Sequence, residues 1–235
     1  MLKNKKILAL IPARSGSKGL KNKNIKILGE HPLLVWPLLA VKKLKYNDKI
    51  IISTDSKKYA EIAKKYGGET PFLRPKKMSG DKASSIDVIM HAIDFFEGFQ
   101  IYFDYILYME PTSPFTSSKD IDKCLKALIS KEKNFDSLVG VSSNEKYNRD
   151  QQILIDKNLR LKEVTSNIQK HKRRQDSKET WYPDGSIYVS TIKSLKKHKT
   201  IIDFHKFFCL YIKPRFIFLK VIRNVIWHFF NFCCN

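Results

Sequence analysis

Three cations, Arg14, Lys18 and Lys23, fall within one short stretch that also holds Gly16 and Gly19: Ala13-Arg14-Ser15-Gly16-Ser17-Lys18-Gly19-Leu20-Lys21-Asn22-Lys23-Asn24. Glycine lets the main chain approach a ligand closely. Free backbone N–H groups together with cationic side chains make a cradle for a polyphosphate. The spacing is neither GxxxxGK[ST] nor GxGxxG, so two well-known phosphate loops are excluded. The alternative reading of this stretch alone is a flexible basic loop.

Further residues that could do chemistry recur downstream. Arg74 lies in Leu73-Arg74-Pro75, and Ala83, Ser84 and Ser85 follow Asp81-Lys82. Glu110 precedes Pro111-Thr112-Ser113-Pro114, and Arg173-Arg174-Gln175 precedes Pro183-Asp184-Gly185-Ser186-Ile187-Tyr188. Each has a plainer reading: Arg74 as an exposed loop charge, Ser85 as a helix cap, Arg174 as a surface ion pair, Tyr188 as core. An arginine fork can meet both oxygens of a carboxylate at once.

These residues must be positioned by alternating strands and helices. Residues 6–11 form a continuous apolar run, as expected of a strand in a parallel sheet covered on both faces. The pattern predicts further strands at 49–53, 104–109, 136–142 and 185–190, and helices at 32–45, 56–66, 84–97 and 118–130. Pro37 should kink the first helix or delay its start. Gly67-Gly68 should end the second, and Ser84 or Ser85 should cap the third. The order predicts an α/β fold, doubly wound, with a mainly parallel sheet. Residues 144–182 are polar, with short strands expected at 152–155 and 159–164, and read as an insertion that leaves the main sheet.

Net charge is +21, from 44 Lys and Arg against 23 Asp and Glu. The cations are mostly lysines spread along the whole chain, which argues for a solvated surface and against a nucleic-acid face of clustered arginines and aromatics. No CxxC pair exists, so neither a zinc site nor a disulfide framework is indicated, and Cys124 reads as helix packing. The first apolar run is too short for a signal peptide core, residues 216–232 are too short and too charged for a stable membrane span, and the expected compartment is the reducing cytoplasm.

Taken in order from about residue 5 to 192, the motifs resemble those of acylneuraminate cytidylyltransferases, which are similar to the enzymes that activate 3-deoxy-manno-octulosonate. The opening A-R-x-x-S-K-G-L-x-x-K-N carries most of the likeness. Ser53-Thr54-Asp55 and the segments around Arg74, Ser85, Glu110, Arg174 and Tyr188 agree in sequence order. The resemblance implies a nucleotide-diphospho-sugar transferase-like fold that transfers CMP from CTP to a sialic-acid-type nonulosonic acid. It implies that Arg14 and Lys23 are catalytic and that Arg14, Ser17, Lys18, Lys23 and Asn24 hold the nucleotide. Arg74, Ala83 and Ser85 would line the cytosine pocket. Glu110, Thr112, Ser113, Arg174 and Tyr188 would face the sugar. Glu110 stands where many relatives carry Gln, Asp184 replaces a frequent Asn, and Tyr182 a frequent Arg. All three differences point away from plain N-acetylneuraminate, and Glu at 110 resembles branches that act on legionaminate-type sugars. The insertion at 144–182 would make a homodimer contact, and the product would feed surface polysaccharide or lipopolysaccharide synthesis.

The same resemblance implies Mg²⁺ held by a DxD pair near the C-terminus. That pair is missing: Asp203 is the last acidic residue, and residues 204–235 hold ten aromatics and no Asp or Glu. The catalytic domain is therefore read as 1–203, followed by an atypical tail. Three readings of the tail stay open: out-of-frame peptide after a frameshift, an aromatic and basic segment on a membrane surface, and an altered end of the fold packed on the sheet. Three functional alternatives also stand: an octulosonate cytidylyltransferase, a catalytically impaired CTP-binding remnant and a nucleic-acid binder.

Overall fold

The structure is a computed structural model that describes residues 4–44, 48–80, 83–143, 153–155, 161–163, 181–201 and 206–211, with Leu2 and Tyr46. Six strands form one sheet: β1 (Ile7–Pro12), β4 (Lys49–Ser53), β5 (Tyr105–Tyr108), β6 (Ser137–Ser143), β9 (Trp181–Thr191) and β10 (Phe207–Tyr211). Their order is β10-β6-β9-β5-β1-β4. β1 is parallel to β4 and β5, and β10 to β6, while β9 runs against both its neighbours. The sheet is thus mainly parallel, in an α/β fold as expected. A short hairpin of β2 (Ile27–Leu28) and β3 (His31–Pro32) follows the first loop, and β7 (Ile153–Ile155) pairs with β8 (Leu161–Glu163) outside the main sheet.

Alternation along β1 assigns its side chains to two cores. Ile7, Ala9 and Ile11 pack with Leu34, Leu38 and Val41 of α1 (Val35–Lys42) and its N-cap, and with Ile121, Leu125 and Leu128 of α4 (Ser118–Ser130). Leu8 and Leu10 pack with Ile89, Ala92 and Ile93 of α3 (Ser85–Glu97) and with Leu195 of α5 (Ile192–His198). Both faces of the sheet are covered, which is why β1 reads as an unbroken apolar run. α2 (Lys57–Lys65) buries Tyr59 and Ala63 in the first core. Cys124 is fully buried on α4, as its sequence context suggested.

Helix starts follow local chemistry. Ser56, Ser84, Ser117 and Thr191 each accept a hydrogen bond from the N–H three residues on, and Ser84 completes a capping box with Asp87. α1 begins at Val35, three residues later than periodicity predicts, because Pro37 fits only in a first turn. β9 begins at Trp181, inside the stretch read as insertion, and pairs there with Ser143. β10 supplies an edge strand from beyond residue 203, where the sequence reading ended the domain. Arg174, residues 212–235 and much of 144–182 lie outside the described residues. Among the described residues no helix is long and apolar enough to cross a membrane.

Candidate active site

The chain passes from β1 through α1 to β4 on one side, then through α2 and α3 to β5 on the other. The carboxyl end of β1 is therefore the point where the winding reverses, and ligands of doubly wound sheets bind there. The cation-rich loop begins at that point. Ala13 N–H donates to Ser53 O at 2.9 Å, and Ser15 is gripped by Asp55: N–H to Oδ1 at 2.8 Å, Oγ to Oδ2 at 2.9 Å. Asn24 is buried and its Nδ2 donates to Arg14 O at 3.0 Å, folding the loop back on itself. Asn22 takes the left-handed turn that this return needs, and Lys23–Ile25 form a single 3₁₀ turn. Arg14, Ser17 and Lys23 are half-buried, and Lys18 is exposed.

Arg74 reaches the same edge from the chain beyond β4. Its N–H donates to Thr54 O at 2.8 Å, and the side chain is buried, not an exposed loop charge. Nε and Nη2 are buried without a hydrogen-bond acceptor. Burial pushes its pKa down, the Asp55 carboxylate and Tyr108 oppose that, and Arg14 adds to it. Ser85, the first residue of α3, shares a hydrogen bond with Tyr108, whose own pKa burial pushes up to about 12. Ala83, with its N–H on Gly80 O at 3.3 Å, leads into that helix.

The second half of the site stands on β5 and β9. Because β9 runs antiparallel, its first residues reach this edge, and Tyr188 pairs with Tyr108. The two rings meet edge to face at 6.0 Å. Glu110 ends the β5 segment. Thr112 Oγ1 donates to its Oε2 at 3.1 Å, and Ser113 N–H donates to its carbonyl at 3.1 Å. Gly185, at φ +79°, lies so close that a Cβ there would stand 3.5 Å from Glu110 Oε2 and 3.8 Å from Ser113 Oγ. Tyr188 is held above its ordinary pKa by burial and by the carboxylates of Glu110 and Asp184.

Lys23 joins the halves. Burial lowers its pKa, Glu110 opposes that, and Arg14 adds to it. The residues expected for nucleotide (Arg14, Lys23, Asn24, Arg74, Ser85) and for sugar (Glu110, Thr112, Ser113, Tyr188) thus converge on one sheet edge. Arg174 is outside the described residues. Sequence reasoning missed three contributors. Asp55 was seen in its motif but not as the anchor of Ser15. Tyr108 precedes Glu110 by two residues, the spacing that puts both on one face of a strand. His91, on α3, meets Phe72 edge to face at 4.6 Å and senses the Arg74 charge; no local signal marks it.

Fold and site define an α/β domain with a cation-rich loop at the reversal point of its sheet, the place where doubly wound sheets bind ligands. The chain belongs to the cytidylyltransferase family, whose model matches residues 8–213. It is 36% identical over 189 residues to an N-acylneuraminate cytidylyltransferase of Escherichia coli O18:K1:H7, covering 79% of this chain and 42% of that protein. It is 29% identical over 195 residues to the CMP-N,N'-diacetyllegionaminic acid synthase of Legionella pneumophila, covering 83% and 82%. A Campylobacter jejuni pseudaminic acid cytidylyltransferase is 26% identical over 212 residues, 89% and 88% of the two chains. Among solved structures, a CMP:2-keto-3-deoxy-manno-octonic acid synthetase superposes with TM-score 0.64 at 12% identity, covering 95% of this chain and 99% of that one. The match to that structure bears out the doubly wound fold.

Proposed function

We propose that this chain transfers CMP from CTP to a sialic-acid-type nonulosonic acid, an N-acylneuraminate or legionaminate-like sugar, with release of pyrophosphate. One observation carries the reading: the buried Arg74 guanidinium keeps two N–H donors without acceptors, beside the cationic loop. Buried donors without partners are costly unless a ligand satisfies them. Cytosine offers O2 and N3 as acceptors at one edge. Arg14 and Lys23 then meet the phosphates and stabilise the charge that develops on pyrophosphate, while the Glu110, Thr112, Ser113 and Tyr188 wall takes the sugar. The names of the Escherichia, Legionella and Campylobacter relatives support the substrate class.

The donor set does not fit a protein-held Mg²⁺. Among the described residues no group of three His, Cys, Asp or Glu can hold a metal, and residues 204–235 hold no Asp or Glu. Magnesium enters as the counter-ion that accompanies CTP. The same observation favours a second reading, a CTP-binding protein of impaired turnover. A homodimer built on 144–182 and a cytoplasmic place in surface-glycan synthesis complete the proposal; sedimentation velocity should give twice the chain mass.

The test is pyrophosphate release with CTP and a panel of N-acetylneuraminate, diacetyllegionaminate, pseudaminate and 3-deoxy-manno-octulosonate, alongside calorimetry with CTP, UTP and ATP. Release with a nine-carbon sugar and preference for CTP support the reading. Release with the eight-carbon sugar alone assigns the octulosonate reaction. CTP binding without release supports the impaired form. No preference for CTP overturns all three.

A further inference from the structure

Three carboxylates stand at the ligand edge of the sheet, and their hydrogen bonds set them apart. Asp55 spends both oxygens on Ser15, at 2.8 and 2.9 Å. Asp184 spends both as well: Oδ2 accepts from Ser142 Oγ at 3.0 Å, and Oδ1 from Ser186 N–H at 2.9 Å and Oγ at 2.5 Å. Those two groups shape the loop and the Gly185 turn. Glu110 differs. The one hydrogen bond that a described side chain gives its carboxylate is from Thr112 to Oε2, so among the described residues Oε1 has no donor.

The open carboxylate also sits between the two half-sites. Of all charges, Glu110 acts most strongly on Lys23, on the phosphate side, and on Tyr188, on the sugar side. Gly185 closes its flank with bare main chain. Thr112 ties one oxygen, which orients the other. That is the arrangement a proton acceptor needs: held by one oxygen, without a described donor at the other, and between the groups proposed for phosphate and for sugar.

We infer that Glu110 is the base that removes the proton from the sugar's anomeric hydroxyl, an inference that rests on the transfer reaction proposed above. The hydroxyl O–H bond breaks and the proton passes to Glu110 Oε1. The freed electron pair forms the bond from the anomeric oxygen to the α-phosphorus of CTP. The bond from that phosphorus to its bridging oxygen breaks, and pyrophosphate leaves with the electron pair. Glu110 returns the proton to water before the next turnover. Where relatives carry glutamine another group must take that proton; this chain, with no Asp or Glu in residues 204–235, has a carboxylate at 110 instead, and Glu110→Gln separates the base from a mere sugar contact.

The experiment is single-turnover CMP-sugar formation by the full chain and by Glu110→Gln, from about pH 5 to 9, with CTP affinity measured by calorimetry as the check on folding. Lys23, Tyr108 and Tyr188, which face Glu110, are unchanged in both proteins. The expected result is a rate lowered by about 10²- to 10⁴-fold with CTP affinity kept, and loss of the acid limb that the unaltered chain shows. A rate within about threefold of the unaltered chain overturns the inference. So does a lowered rate that keeps the same acid limb, which marks a binding contact. Should Glu110→Gln lose CTP affinity, Glu110→Asp decides: a slowed rate with the acid limb kept supports the base, and no acid limb overturns it. No product from the unaltered chain with any acidic sugar overturns the transfer reading and the base together. Product from the unaltered chain with an unchanged variant overturns the base alone.

Discussion

Arg74 holds the sharpest conflict at the scale of one residue. Its guanidinium is buried, two of its donors lack acceptors, and burial pulls its pKa down. Such a group destabilises the ligand-free fold by about 1–3 kcal/mol. Arg74→Met should therefore raise the ligand-free melting temperature while CTP affinity falls by at least about tenfold, worth about 1.4 kcal/mol. Calorimetry and thermal unfolding on the same sample read both signs. Lys23 gives a pH signature. Its folded pKa lies below its unfolded value, so burying the ammonium costs stability at neutral pH, and that cost fades as pH rises through the lowered pKa. CTP binding has the opposite sign, since the phosphates need the charge. CTP affinity should fall with rising alkalinity in the unaltered chain and hold in Lys23→Arg, whose guanidinium stays charged; titrations across the alkaline range check this.

At the scale of elements, caps and carboxyl ends do separate jobs. Ser117 caps α4 by accepting from Asp120 N–H at 3.2 Å, on a helix whose buried face packs the core. Ser117→Ala should cost about 1 kcal/mol in denaturant unfolding and leave CTP affinity unchanged, because none of the residues proposed to hold the nucleotide stands on α4. The ends of β1, β4 and β5 carry the opposite burden. They supply Arg14, Asp55 and Glu110 to one edge, and β9 reaches that edge only because it runs backwards.

For the whole molecule, the sheet is the wall between two cores, and β1 belongs to both. Leu10 is fully buried against α3 and its neighbours. Leu10→Ala should destabilise the fold by about 2–5 kcal/mol, read as a shift in the urea midpoint with unchanged slope. The ligand edge depends on that wall, so CTP should restore part of the lost stability by mass action.

Composition and local pattern determined the α/β class, the β1 run, α4, the serine cap of α3 and the cation-rich loop, because periodicity, capping chemistry and glycine act within a few residues of themselves. They also marked Arg14 and Lys23 as chemistry-bearing, while Arg74, Glu110 and Tyr188 stood out through the resemblance of ordered motifs to a known family. Only the tertiary structure decided that Arg74 is buried with open donors, that Asp55 and Asp184 spend their oxygens on serines, and that Glu110 does not. Those distinctions depend on which groups from distant segments meet: Ser15 with Asp55 across 40 residues, Ser142 with Asp184 across 42. The antiparallel course of β9 was hidden for the same reason, since strand direction is set by pairing partners and not by the strand's own residues.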